Sequence, residues 1–385
     1  MLHGRCASLF SLTLLLAPIW QATGAERLDS SRATASANGA VLWYDLGELG
    51  IEGKGWSETK AVYDRLPAKA EKMVREPVWN LSRQAAGLCA RFVTDAPTLL
   101  VRWSLSSANL AMPHMPATGV SGVDLYVKTE QGWRWLACGF PAAQSNEAVL
   151  VQGLPQTERE YMLYLPLYNG VTKVEVGIPK EHALAKAPPR PAPRDKPIVF
   201  YGTSITQGGC ASRPGMVHTA ILGRRLDRPV INLGFSGNGK MEPELATLLA
   251  ELDPAVYVLD CLPNMSAQEV SERVEPFVRT LRAARPATPI VLVEDRNYTD
   301  GFLVTSKRQR NEASQAALRA AFDRLAADGV EGLHYLPGKD LLGDDGEATV
   351  DSSHPTDLGF VRQAAAFQGV LEQALELTTE KGSVP

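Results

Sequence analysis

Hydrophobic positions follow two rhythms along this chain. In the N-terminal half they alternate: Leu99, Val101, Trp103 and Leu105 interleave with Leu100, Arg102 and Ser104, and Val174, Val176 and Ile178 with Lys173, Glu175 and Gly177. A period of two turns one face of a strand inward and the other to solvent, so these segments predict half-buried antiparallel strands. The runs 123–128 and 133–138 flank Thr129-Glu130-Gln131-Gly132, a connection suited to a hairpin. An antiparallel β-sandwich over residues 38–182 is the fold expected of this half. In the C-terminal half the apolar residues form unbroken runs at 198–201, 230–233, 256–259, 290–293 and 333–336. Such runs suit strands buried on both faces, and helix-like stretches separate them. Leu318, Phe322 and Leu325 repeat at helical spacing ahead of Gly329, while Phe360, Phe367 and Leu371 mark a final amphipathic helix. Residues 197–380 therefore predict an α/β domain with a five-stranded parallel sheet.

Between the halves lies 183–196, with prolines at 188, 189, 191 and 193. Proline fixes φ and lacks a donor, so this stretch is expected as an extended linker. At the start of the chain, His3 and Arg5 precede an apolar stretch at 9–20 and then Ala22-Thr23-Gly24-Ala25. That is the form of a signal peptide over residues 1–25, and it implies a secreted or periplasmic protein. No later segment offers the roughly 20 uninterrupted apolar residues of a membrane helix.

At 385 residues, 45% hydrophobic and 21% charged, the chain can bury a large core. Its net charge of -4 lacks the basic excess that phosphate-backbone binding requires, so nucleic acid is not an expected partner. Cys89, Cys138, Cys210 and Cys261 follow the leader. In an oxidising compartment they suggest the pairs 89–138 and 210–261, with free thiols as the alternative. Trp43, Trp56, Trp79, Trp103, Trp133 and Trp135 all lie in the N-terminal half. They are expected mainly in the core, with a sugar-stacking face as the alternative.

In a parallel sheet, working groups gather beyond the carboxyl ends of the strands. There the sequence places Gly202-Thr203-Ser204-Ile205, Gly234-Phe235-Ser236-Gly237-Asn238-Gly239, Asp260-Cys261-Leu262-Pro263-Asn264 and Asp351-Ser352-Ser353-His354-Pro355. A serine becomes a nucleophile when a base removes its proton, and the base works best when a third group holds its ring. Ser204, His354 and Asp351 suit these three roles. An oxyanion needs fixed donors, for which the backbone N–H groups of Ser204 and Gly237 and the side-chain amide of Asn264 are candidates. Ser236 is the rival nucleophile, although neither serine completes Gly-x-Ser-x-Gly. His218 reads as a reserve base or a structural residue; His114, His182 and His334 read as structural, and Arg296 as half of a surface ion pair. No Gly-Lys-[Ser/Thr] phosphate loop follows the first strand, and one histidine with one carboxylate makes an incomplete zinc site.

These four blocks, in this order, resemble the SGNH, or GDSL-type, serine esterase superfamily over about residues 198–377. Two blocks depart from its pattern: Gly-Thr-Ser-Ile replaces Gly-Asp-Ser-Leu, and Pro-Asn-Met replaces Gly-x-Asn-Asp. The resemblance implies a flavodoxin-like hydrolase domain behind a jelly-roll-like β-sandwich, no cofactor or metal, and the roles given above for Ser204, Gly237, Asn264, Asp351 and His354. With the leader and the tryptophans, it implies an exported carbohydrate O-acetylesterase acting on an acetylated oligosaccharide or polysaccharide. A lipase or thioesterase for longer acyl chains, and a carbohydrate-binding protein with an inert hydrolase domain, are the alternative readings.

Overall fold

The computed structural model describes residues 25–381. The expected leader therefore lies outside the described residues, Ala25 apart. The alternating segments pair into two antiparallel sheets. One runs Thr34–Ala35, Val41–Asp45, Val171–Pro179, Thr98–Leu105, Ser145–Gln152; the other runs Leu184–Lys186, Cys89–Thr94, Arg159–Tyr164, Val123–Thr129, Gly132–Gly139. Leu99, Val101, Trp103 and Leu105 turn inward from the first sheet and meet Phe92, Leu125, Tyr161 and Leu163 from the second. Trp103 donates its indole N–H to the Ser121 carbonyl at 3.0 Å, so its burial strands no polar atom. The predicted hairpin closes more tightly than expected, since Thr129 and Gly132 are themselves a strand pair.

The tryptophans do not assemble a common face. Trp43 and Trp103 are core residues of the sandwich layers, and Trp79 is buried against the parallel sheet. Trp135 is half-exposed and donates to Asp124.

All four described cysteines are free thiols. Cys89 and Cys138 stand in one row across a sheet, through Tyr164 and Asp124. Three interstrand spacings, about 14 Å, separate them, twice what a disulfide spans. Cys261 is fully buried and directs its thiol to the Tyr201 carbonyl.

In the second half the five apolar runs form a parallel sheet in the order Val230–Gly234, Ile198–Gly202, Val256–Asp260, Ile290–Val293, Leu333–Leu336. That order, second-first-third-fourth-fifth, is the flavodoxin-like one. Helices cover both faces. Ala267–Ala284 opens on a capping box between Ser266 and Glu269. Thr305–Ala327 ends before Gly329, whose φ of 77° reverses the chain. Asp357–Lys381 buries Phe360, Phe367 and Leu371.

The two halves are joined differently from the expected spacer. Leu184–Lys186 is a sheet strand, because Leu184 and Ala185 have a buried partner strand before the first proline intervenes. Beyond it, Arg190 bridges Glu52 and Asp227, one carboxylate from each half. Residues 53–86 span both cores: Tyr63 and Ala85 stay in the sandwich, while Leu66, Val74, Val78 and Trp79 lie on the parallel sheet with Leu233, Leu245 and Leu249. Arg65, within this segment, is buried and donates to the carbonyls of Asn232 and Gly234 at 3.0 and 2.8 Å. It thereby occupies acceptors on the edge strand of the sheet.

A second tie lies between Val123–Thr129 and the loop after the first parallel strand. The Asp124 carboxylate, fully buried, accepts from Arg213 and from the Gly215 N–H at 2.8 Å each, and from Trp135 Nε1 at 2.9 Å. Tyr126 accepts from the same guanidinium at 2.6 Å. Removing one partner of a buried, hydrogen-bonded pair leaves the other without its counter-charge, at a cost of about 3–5 kcal/mol. Asp124→Ala is accordingly expected to lower the unfolding free energy measured in urea by that amount, with a fall in the midpoint at unchanged m; an unchanged midpoint would show that the tie is not a structural one.

Candidate active site

Ser204 opens a single helical turn, Ser204–Gln207, at the carboxyl end of the strand Ile198–Gly202. Thr203 caps it, and Gly208 ends it at φ 115°. The turn is held by its own carbonyl: Ser204 O accepts from the N–H groups of Gly208 and Gly209 at 2.9 and 2.7 Å, and from Tyr168 Oη at 3.1 Å. Two glycines let the neighbouring loop close on it. A Cβ at Gly234 would sit 2.1 Å from the Gln207 nitrogen, and one at Gly239 would sit 2.0 Å from the Gly202 carbonyl. Only the absence of a side chain permits that approach.

His354 arrives from the loop that precedes the last helix, which is pinned by Val350 N–H to His354 O at 2.9 Å and Thr356 N–H to Ala348 O at 2.9 Å. Asp351 turns back on the same loop. One of its oxygens accepts from the backbone N–H groups of His354 and Ser353 at 2.7 and 3.1 Å. The other lies 2.8 Å from His354 Nδ1, and His354 Nε2 lies 2.8 Å from Ser204 Oγ. With Nδ1 protonated and donating to the Asp351 carboxylate, Nε2 is left to accept from the serine hydroxyl. Partial burial pushes the Asp351 carboxyl up, but the hydrogen bonds from His354 and Ser353 outweigh it and hold the group below its ordinary value. It stays a carboxylate at neutral pH.

Of the three expected oxyanion donors, Asn264 and Gly237 are in contact with each other. With its amide oriented as its surroundings require, Asn264 accepts through oxygen from the N–H groups of Gly237, Asn238 and Gly239 at 3.3, 3.0 and 3.2 Å. Its NH₂ group is thereby kept on the other side. Gly237 sits at φ 69°, and its single N–H makes the longest of the three bonds to the Asn264 oxygen. Asn264 itself ends the short turn Leu262–Asn264 after the third strand.

Several other expectations resolve here. Arg296 is not at the surface: it is 2% exposed and forms a two-pronged pair with Asp260 at the end of the third strand. No local spacing marks the pair, because the two residues lie 36 positions apart in sequence. Thr206, two residues past Ser204, donates to the same carboxylate at 3.1 Å. His218 is structural, fully buried between Phe360 and Phe367 with neither ring nitrogen hydrogen-bonded. Burial holds it well below the ordinary imidazole value, aided by the charge of Arg296. Ser236 is a loop residue, its N–H donating to Gln207 Oε1 at 3.0 Å. His182 pairs with Asp95.

Two residues of the N-terminal half reach the site unannounced. Tyr168 braces Ser204, as described above, and the ring of His114 stands 6.1 Å from that of His354. Neither lies in a periodic segment or a recognisable motif, so no sequence signal marked them.

Comparison with known proteins accords with this geometry. Residues 195–372 match the GDSL-like Lipase/Acylhydrolase family. Residues 41–184 match the GxDLY family, described as the N-terminus of Esterase_SGNH_hydro-type. A GDSL-like lipase from Bacteroides ovatus is 33% identical, over 87% of this chain and 98% of that one, with a TM-score of 0.83. The chain belongs to the GDSL-like lipase/acylhydrolase family. Two more distant structures share its fold. A family two carbohydrate esterase from Clostridium thermocellum, in complex with cellohexaose, is 14% identical over 76% of this chain and 94% of that one, with a TM-score of 0.54. An acetyl xylan esterase from the rumen bacterium Butyrivibrio proteoclasticus is 12% identical over 88% and 99%, with a TM-score of 0.52. No curated protein matches. In this GDSL-like acylhydrolase the GxDLY letters fall on Gly122-Val123-Asp124-Leu125-Tyr126, the strand whose Asp124 and Tyr126 grip Arg213.

The loop packing yields a stability test. Gly239→Ala must displace the backbone at Gly202 and is expected to cost about 1–3 kcal/mol by overpacking. Gly369→Ala, in the final helix with nothing within 4 Å of the added methyl, is expected to stabilise by about 0.5–1 kcal/mol. Urea unfolding of the two variants checks both signs.

Proposed function

We propose that this acylhydrolase is an exported serine esterase that removes O-acetyl groups from carbohydrate through an acyl-enzyme on Ser204. The observation that carries the reading is the unbroken relay of two 2.8 Å contacts, Ser204 to His354 and His354 to Asp351. His354 Nε2 takes the Ser204 proton as Oγ attacks the ester carbonyl. The tetrahedral oxyanion accepts from the Ser204 N–H and the Asn264 NH₂ group, and the Gly237 N–H, which at rest donates to Asn264 at 3.3 Å, turns to it as charge develops. Asp351 stabilises the imidazolium and fixes its tautomer. His354 then delivers the proton to the alcohol oxygen as the C–O bond breaks, leaving an acetylated serine. A water molecule, deprotonated by the same imidazole, attacks that ester and releases acetate.

The carbohydrate side of the proposal is supported by two structural neighbours described as carbohydrate and acetyl xylan esterases, and by the leader in the sequence. Among the described residues no helix is long and apolar enough to cross a membrane.

The test compares wild type, Ser204→Ala and Asp351→Asn on p-nitrophenyl acetate, butyrate and octanoate and on acetylated xylan. Ser204→Ala is expected to lower kcat on the order of 10³-fold or more, and Asp351→Asn about 10³- to 10⁴-fold through loss of the productive tautomer. Undiminished turnover in Ser204→Ala would end the nucleophile assignment. Rates rising from acetyl to octanoyl would replace the acetylesterase with a long-chain lipase.

A further inference from the structure

We infer that His114, supplied by the N-terminal half, binds the alcohol half of the ester and selects alcohols that carry additional hydroxyl groups. This rests on the preceding reading that Ser204 attacks an ester. The side of the site on which His114 stands follows from the chemistry. The oxyanion is held by Ser204, Gly237 and Asn264, whereas the departing oxygen must lie within reach of His354 Nε2, which protonates it. On that ground His114, whose ring stands 6.1 Å from that of His354 and tilted 57° to it, is assigned to the leaving-group side rather than the acyl side.

His114 is exposed, and its ring nitrogens make no hydrogen bond among the described residues. A neutral imidazole carries one donor and one acceptor. A hydroxyl group, which also does both, can meet either nitrogen, whereas a hydrocarbon alcohol gains nothing from them.

The backbone that carries this ring is fixed by its surroundings. Met112 and Met115 exchange backbone hydrogen bonds at 3.0 and 3.1 Å, closing a tight turn with Pro113 and His114 at its tip. Met115 is buried beneath that turn in one cluster with Ala211 and Phe360. Three residues on, Thr118 Oγ1 donates to the Ser212 carbonyl at 2.6 Å. At Gly119 an added Cβ would lie 2.1 Å from the Ala211 carbonyl. The turn is thus seated on the same loop that follows the nucleophile, and a ligand group need not order it on binding.

The experiment measures kcat/KM for three acetates sharing one acyl group: monoacetyl methyl glucoside, glycerol monoacetate and cyclohexyl acetate. Wild type is expected to prefer the hydroxylated esters. In His114→Ala the ratio of hydroxylated to cyclohexyl ester should fall by about 3- to 10-fold, the worth of one neutral hydrogen bond. His114→Gln, which keeps a donor and an acceptor at similar reach, should restore most of it. An unchanged ratio in His114→Ala, or an equal fall in His114→Gln, overturns the assignment while leaving the Ser204 mechanism intact. If wild type cleaves none of the three esters nor p-nitrophenyl acetate, the esterase reading fails and this inference with it.

Discussion

The buried ion pair between Asp260 and Arg296 is the constraint on which the site depends. It sits under the convergence of the loops, and each of its remaining hydrogen bonds goes to an element that carries chemistry. Thr206 binds the carboxylate from the turn begun by Ser204, and Gln363 accepts from the guanidinium at 2.7 and 3.0 Å from the helix that follows His354. Removing two charges from water offsets much of their mutual attraction, so the pair adds little net stability. What it supplies is register. Ser204 and His354 belong to segments 150 residues apart, and both segments are referred to one rigid pair.

A second set of contacts fixes the same geometry from outside. The loop between Gly208 and Gly215 is held from the sandwich by Asp124 and Thr118, and from the final helix by Asp357, whose carboxylate accepts from the Ser212 N–H and hydroxyl at 2.9 and 2.5 Å. Tyr168 meanwhile bonds the carbonyl of Ser204 itself. The N-terminal half is therefore a wall of the active site, and the GxDLY strand is the part of that wall that grips the hydrolase domain.

The sequence disclosed most where burial imposes a simple pattern. Five parallel strands covered on both faces had to be continuous apolar runs, and the runs at 198–201 through 333–336 fall within a residue of the observed strands. The meeting of Ser204, His354 and Asp351 was legible because strand-end loops confine such groups to a few short segments. Residues 53–86 were not, since an irregular segment has no period and Arg65 resembles any surface arginine until the carbonyls it serves are known. His114 and Tyr168 were missed for the same reason: their proximity to Ser204 is created by the docking of the two halves, which no local spacing encodes. The cysteines misled because an even count says nothing of the row of strands that separates Cys89 from Cys138.

The position of Arg65 has an evolutionary corollary. A crossover at the proline run would part the catalytic sheet from the segment that shields its outermost strand, leaving backbone acceptors of Val230–Gly234 open to any passing chain. The sandwich is consequently no detachable module that recombination can trade for another domain. Both halves must be inherited, and must diverge, together.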